Sequence, residues 1–296
     1  MRTHVLTLMS LALAVLLALG WLVFSGAPVS ADDSVTFNGA TLASSIWDDG
    51  KAEVTTYSVE RPFYGDVRQG EATFIVVKEP WDTKKHVKSD TSSPVDVLKL
   101  HRVEEVVTPY YPYRFATTSF VPRVRPGHTL KLASTSQEWC GTTYQAWRDA
   151  PDGGEYEWRS YFGAEADGMA TIEVDAGLPV LMVDSLPLTM RSLELDEGEL
   201  GRAQLVSSLI SNHALPPQVN VVTLTASRDE SIHRDTEWRI EARTEDGAAL
   251  ATIWVDAGAP HVMTRAALPG GITYRLEGTE RRAYWPGGDP PPGDQR

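Results

Sequence analysis

The single cysteine, Cys140, sits in the run Ser134-Thr135-Ser136-Gln137-Glu138-Trp139-Cys140-Gly141-Thr142-Thr143-Tyr144-Gln145. In an extended segment Glu138 and Cys140 lie on one face, so this is the pair from which thiol chemistry could be built. A thiolate nucleophile needs a base to take its proton and a third group to orient that base. A carboxylate beside a thiol raises the thiol's pKa, the wrong direction for a nucleophile. Glu138 and Cys140 are therefore the catalytic candidates by residue type alone, and the plainer role for Cys140 is a small buried hydrophobe.

Binding chemistry has more to draw on. Tyr111, Tyr113, Gln137, Trp139, Trp158 and Trp238 are the candidate ligand-binding residues. Rings such as those of Tyr110-Tyr111-Pro112-Tyr113 can stack on a sugar or a lipid headgroup, or pack across a sheet face with their hydroxyls at the rim. Five of the seven lysines fall between Lys78 and Lys99. Among them Lys84, Lys85 and Lys88 form a patch that could meet an anionic partner or guard a sheet edge. No H-E-x-x-H, H-x-H, C-x-x-C, Walker loop or G-x-S-x-G occurs, and no cofactor or metal is expected. A metal site would have to be assembled from the scattered His101, His128, His213, His233 and His261.

The elements that must position these residues read as β. Lys51–Glu60 and Glu71–Glu79 form a long hairpin across Tyr64-Gly65, the second strand buried on both faces and stopped by Pro80. Strands follow at Val95–Val107, Arg114–Val121 and Thr129–Ala133, after an opening stretch, Ser34–Ala40, that is a short strand or an unpaired arm. From Glu157 onward a unit is used twice. Ala170-Thr171-Ile172-Glu173-Val174-Asp175-Ala176-Gly177-Leu178-Pro179 returns 81 residues later, from Ala251 to Pro260, with eight of ten positions identical. Each copy follows a Glu-Trp-Arg strand start (Glu157 and Glu237) and an Asp-Gly pair, Asp167-Gly168 and Asp246-Gly247, read as a tight hairpin turn. Alternation puts Ile172, Val174 and Ala176, and likewise Ile253, Val255 and Ala257, on the inward face. Asp175 and Asp256 would cap the corner that follows. Between the copies, the spacing of Leu200, Ala203, Val206, Leu209 and Ile210 predicts a short helix within Asp196–Ala214. Val219–Ala226 and the set Ile272, Tyr274 and Leu276 are further strands. The expected fold is mainly β: a curved antiparallel sheet or half-barrel meander with an internal hairpin repeat and one or two short helices.

A formal charge of −13 over 296 residues disfavours nucleic acid as a partner. Val5–Phe24 carries no formal charge and follows Arg2; Val29-Ser30-Ala31 presents small residues before Asp32-Asp33. This reads as a signal peptide over residues 1–31, or as an anchor with residues 5–24 in the membrane if uncleaved. Both place the body in the periplasm, at the cell surface or outside the cell. Residues 32–286 would be the β-rich body, in two tightly joined halves at 32–156 and 157–286, and residues 287–296 a disordered tail.

Trp47-Asp48-Asp49-Gly50-Lys51-Ala52-Glu53, Gly70-Glu71-Ala72, Val87-Lys88, Val97-Leu98-Lys99-Leu100, Tyr111-Pro112-Tyr113 and Ser136-Gln137-Glu138-Trp139-Cys140-Gly141 together resemble a family of exported bacterial proteins of unknown function. Its members are often lipoproteins, some mislabelled "septum formation inhibitor Maf"; a lipid-bearing cysteine near residue 31 is absent here. The second half resembles, more loosely, periplasmic curved-sheet domains. The resemblance implies export and a β-rich body, with no activity. The first functional expectation is a non-enzymatic envelope protein holding an apolar or amphiphilic molecule in the concave face of the sheet. The second is a structural or interaction protein with a closed core, and the third a thiol enzyme using Cys140.

Overall fold

The computed structural model describes residues 33–90, 94–151, 153–229 and 237–287. The apolar run at 5–24 and nearly all of the proline-rich tail lie outside them. From Ser34 onward the described chain forms sixteen strands and two four-residue α-helices. The first half supplies α1 (Ala40–Ala43), β1 (Ala52–Phe63), β2 (Asp66–Asp82), β3 (Val87–Lys88), β4 (Val95–Val107), β5 (Pro112–Pro122), β6 (Lys131–Glu138), β7 (Gly141–Ala150) and β8 (Gly153–Arg159). The second supplies β9 (Asp167–Ile172), β10 (Val180–Met182), α2 (Leu186–Thr189), β11 (Gly198–Val206), β12 (Val219–Asp229), β13 (Glu237–Arg243), β14 (Ala249–Asp256), β15 (Met263–Leu268) and β16 (Ile272–Arg282).

All the strands join one curved, unclosed sheet. Its order runs β10 to β16, then β1, β2 and β4 to β9, with β3 paired to β2 off that path. Neighbours are antiparallel except β10 with β11. β1 pairs β16 from Ala52↔Arg282 to Glu60↔Thr273, so the first and last long strands meet in the middle of the sheet. The free edges are β9 and β10, which follow one another in sequence without pairing.

The concave side is filled by the chain itself. Residues 183–193, which contain α2, are buried throughout. Leu186, Leu188 and Met190 share a core with Tyr57, Phe74, Leu100, Leu224, Ile253 and Val255 from the surrounding wall. Three charged contacts accompany this packing. Arg191 lies 2.8 Å from Glu53 of β1, Asp184 lies 3.4 Å from Arg102 of β4, and Arg61 lies 2.7 Å from Glu104, which also accepts from Tyr274 Oη at 2.5 Å. Burial pushes the Asp184 carboxyl above the usual carboxylate range, against the pull of Arg102. Such pairs stabilise little relative to apolar packing, yet removing one member leaves an uncompensated buried charge.

A second clasp closes the far end. Trp47 is buried, donates from Nε1 to Thr41 O at 2.9 Å and lies under the Arg281 guanidinium. Asp49 pairs with Arg281 at 2.7 Å, and Asp48 with Lys78 at 2.6 Å and Arg123 at 3.0 Å. The Trp47-Asp48-Asp49 segment thus fastens the N-terminal turns to the sheet.

Several sequence expectations are corrected. Asp196–Ala214 is not helical: Gly198–Val206 is β11, with Gly198 and Gly201 at φ +110° and +123°. The opening arm crosses there, and a Cβ on Gly201 would come within 2.7 Å of Val35 N. The arm itself makes only isolated bridges, Ser34 to Arg202 and Phe37 to Leu193. Pro80 does not end its strand, because β2 runs on to Asp82 and the Pro80 carbonyl accepts from Ser89 N. β2 also alternates, with Ala72, Phe74 and Val76 buried and Thr73, Ile75 and Val77 half-buried.

The duplicated unit forms a hairpin twice, β8–β9 and β13–β14, in different registers. Trp158 faces Gly168, whereas Trp238 faces Val255, the counterpart of Val174, six residues on. An even shift keeps the inward face inward, and Ile253 and Val255 are in the core. In the first copy the strand ends at Ile172, Val174 lies beyond it half-buried, and Ala176 is exposed rather than inward. Asp246-Gly247 makes the turn of the second copy. Asp167-Gly168 is already inside β9, and residues 160–166 make a longer loop instead. Both corner acids act alike: Asp175 Oδ1 accepts from Gly177 N at 2.8 Å and Asp256 Oδ1 from Gly258 N at 2.9 Å.

Arg191→Met is expected to cost about 3–5 kcal/mol in urea unfolding, and pairing it with Glu53→Leu to recover most of that loss; equal losses in both would contradict the pinning role. Asp48 is held below the usual carboxylate range by Lys78 first and Arg123 second. Its contribution to stability is present above pH about 4 and is lost as pH falls through the lowered value. Asp48→Asn should therefore flatten the fall of Tm with acidification below that pH.

Candidate binding site at the mouth of the sheet

The turns joining β1 to β2, β4 to β5, β6 to β7 and β8 to β9 all fall at one end of the sheet, as the pairings Phe63↔Asp66, Val107↔Pro112, Glu138↔Gly141 and Arg159↔Asp167 require. They surround a mouth whose floor is the 207–215 segment. That floor is anchored from the wall: Gln145 Nε2 donates to the carbonyls of Leu209 and His213 at 3.0 and 3.2 Å, and Thr143 Oγ1 to that of Asn212 at 2.7 Å. Tyr156 Oη donates to Leu215 O at 3.0 Å.

Aromatic rings crowd this mouth. Phe63 stacks on Tyr113 with centroids 4.4 Å apart, Tyr64 meets Tyr110 edge-on at 5.5 Å, and Tyr111 stacks on Trp139 at 5.8 Å. Phe115 and Tyr113 seat on Ile210 of the floor. The outer rings are not covered: Tyr64, Tyr110, Trp139 and Tyr161 are 54, 69, 78 and 56% exposed. The phenols form a chain in which Tyr113 Oη bonds Tyr64 Oη, which lies 3.3 Å from Tyr111 Oη, itself 3.4 Å from Cys140 Sγ. Glu138 Oε1 accepts from Asn212 Nδ2 at 3.1 Å. Gly141 has the Tyr161 ring 2.4 Å from where a Cβ would sit, so glycine lets the β8–β9 loop close on the β6–β7 turn.

This arrangement stacks and hydrogen-bonds. The hydrogen bond to Cys140, then that to Tyr64, pushes the Tyr111 phenol well above its ordinary value, and burial does the same for Tyr113. Both hydroxyls stay neutral, able to donate and accept, and neither is a ready base.

Four of the sequence candidates, Tyr111, Tyr113, Glu138 and Trp139, meet here together with Cys140, which is exposed and not the buried hydrophobe expected of it. Gln137 points to the outer face, in a cleft of about 300 Å³ with Thr135, Thr142, Tyr144 and Arg159. Trp158 stacks on Tyr156 and donates to Glu165 O, bracing the loop. Trp238 is buried beneath the Arg228 guanidinium, in the core. The lysine patch lies at the opposite end. Asp82 Oδ1 accepts from the amides of both Lys84 and Lys85, and Lys88 approaches Glu79 at 3.8 Å. Sequence reasoning missed Tyr64 and Asn212 as parts of the site, and named Tyr110 only as a member of the tyrosine cluster. The available signal was an aromatic at successive hairpin tips; Asn212 is brought in only by the long connection after β11. The histidines are dispersed on separate partners: His101 on Thr118, His128 on Asp149, His213 on Glu165 and His261 on Asp256 O. His233 lies outside the described residues.

No family model matches the chain, and no curated protein matches it in sequence. Among solved structures the chain is similar to a β-barrel-like protein from Brucella abortus, a domain of unknown function (DUF1849). The likeness covers 78% of this chain and 98% of that one at 8% identity, with a TM-score of 0.46. Among the described residues no helix is long and apolar enough to cross a membrane.

Tyr111 and Tyr113 should titrate above the ordinary phenol value near pH 10 when followed by NMR of labelled tyrosine Cζ, with Tyr111→Phe identifying one late signal. Ordinary titration of both would contradict the hydrogen-bonded chain. Cys140 should react with a maleimide in the native protein as readily as in urea.

Proposed function

We propose that this protein is a non-enzymatic component of the cell envelope, exported by its N-terminal run, with a closed core and a partner engaged through the aromatic mouth. One observation carries this reading: residues 183–193 occupy the concave side, while the uncovered rings gather at its rim. An apolar molecule held in the concavity would have to displace a segment tied to the wall through Arg191 and Asp184. A patch of exposed rings on an otherwise acidic surface is costly to maintain unless something covers it. The hydrogen-bond partner of Cys140 is the phenol of Tyr111, which stays neutral, and this argues against a thiol enzyme.

The test is capture from the envelope fraction of the source cells by the purified chain. Partner retention should be lost in Trp139→Ala/Tyr110→Ala and kept in Lys84→Glu/Lys85→Glu, with Tm unchanged in both. Loss with the lysine variant alone would move the interface to the opposite end of the sheet and refute the reading.

A further inference from the structure

Resting on that reading, we infer that the mouth takes a linear, uncharged carbohydrate chain. The tips that carry the exposed rings are consecutive along the sheet: β1–β2, β4–β5, β6–β7 and β8–β9. Rings from neighbouring tips meet one another, Tyr64 and Tyr110 at 5.5 Å and Tyr111 and Trp139 at 5.8 Å. A continuous row of rings drawn from successive tips suits an extended polymer better than a compact molecule.

The polar groups select among polymers. Charges near the tips are already paired with one another: Arg68 with Asp66 at 2.7 Å, Arg114 with Glu105 at 2.6 Å and Arg159 with Glu157 at 3.1 Å. Glu138 has two neutral partners, the Asn212 amide and the Tyr113 hydroxyl, and no cation within ion-pair distance among the described residues. An added phosphate or carboxylate would meet this acid without a counter-charge, which disfavours anionic glycans and phospholipid headgroups. A proline-rich peptide would also stack on Tyr and Trp, but a run of prolines has no N–H to give a carboxylate. A sugar ring offers what the mouth lacks: an apolar C–H face for Trp139 and Tyr110, and hydroxyls that donate to Glu138 and exchange hydrogen bonds with the tyrosine chain.

The decisive experiment follows tryptophan fluorescence and native-gel mobility of the full chain with linear neutral hexasaccharides of glucose and of N-acetylglucosamine. Zwitterionic phosphatidylcholine vesicles and a decaproline peptide are run in parallel. Binding of a neutral hexasaccharide is expected, weakened about tenfold or more by Trp139→Ala and lost in Trp139→Ala/Tyr110→Ala. Both residues are exposed, so far-UV circular dichroism and Tm should not move. Glu138→Gln, which keeps the shape and removes the charge, should weaken the sugar and not the peptide. Binding of vesicles or decaproline alone, abolished by the same double variant, overturns the carbohydrate assignment and leaves the mouth as the interface. No binding of any probe, with envelope capture unaffected by the double variant, overturns both.

Discussion

A sheet of sixteen strands that curves without closing has to put something in its concavity, and here the chain puts itself there. Residues 183–193 fill the interior and are tied to one stretch of wall, with Asp184 on Arg102 of β4 and Arg191 on Glu53 of β1, two strands away. Apolar packing of Leu186, Leu188 and Met190 provides the driving force. The ion pairs fix where along the wall the segment sits, since any other register would strand a buried charge. The sheet stays open between β9 and β10, and after β10 the chain enters the core before returning as β11.

That choice separates two surfaces that a ligand carrier would merge. The inner face becomes core, and the aromatic residues that do not fit it are pushed to the end where the turns collect. Tyr113 and Phe115 belong to both, packed on Ile210 below and on Phe63 beside them. Above them the phenols of Tyr64 and Tyr111 extend the packing into a hydrogen-bonded chain that reaches solvent at Cys140. The mouth is therefore rigid at its base and open at its rim, which favours binding by stacking without large rearrangement.

The strands were legible because alternation is a local signal. Ile253 and Val255 announce their face within three residues, whereas the apolar run Phe74–Val77 hid the alternation that β2 has. The duplicated corner was legible too, since Asp175 and Asp256 bond their own backbone two residues on. The span 196–214 misled because β11 is covered by the 183–193 segment and by the opening arm, so burial on both faces erased alternation and left a helix-like spacing. The register difference between the two hairpins was hidden as well: closely similar strand sequences pair differently when one loop is seven residues and the other is a tight turn. Of the site, Tyr111, Tyr113, Glu138 and Trp139 could be singled out by type. Their convergence with Tyr64 and Asn212 depends on strand order, which no local pattern encodes. The segments Trp47-Asp48-Asp49 and Gly141, read first as marks of resemblance, have direct structural work in the Arg281 clasp and the Tyr161 contact.

Hydrogen–deuterium exchange of the amides from Val183 to Leu193 bears most directly on whether the interior is a closed core. If the segment is part of that core, its amides should open only with the β1 and β4 strands, at the free energy of global unfolding. Fast, independent exchange of residues 183–193 while β1 and β4 stay protected would mean that the concavity can be vacated. The separation of core from mouth would then not hold.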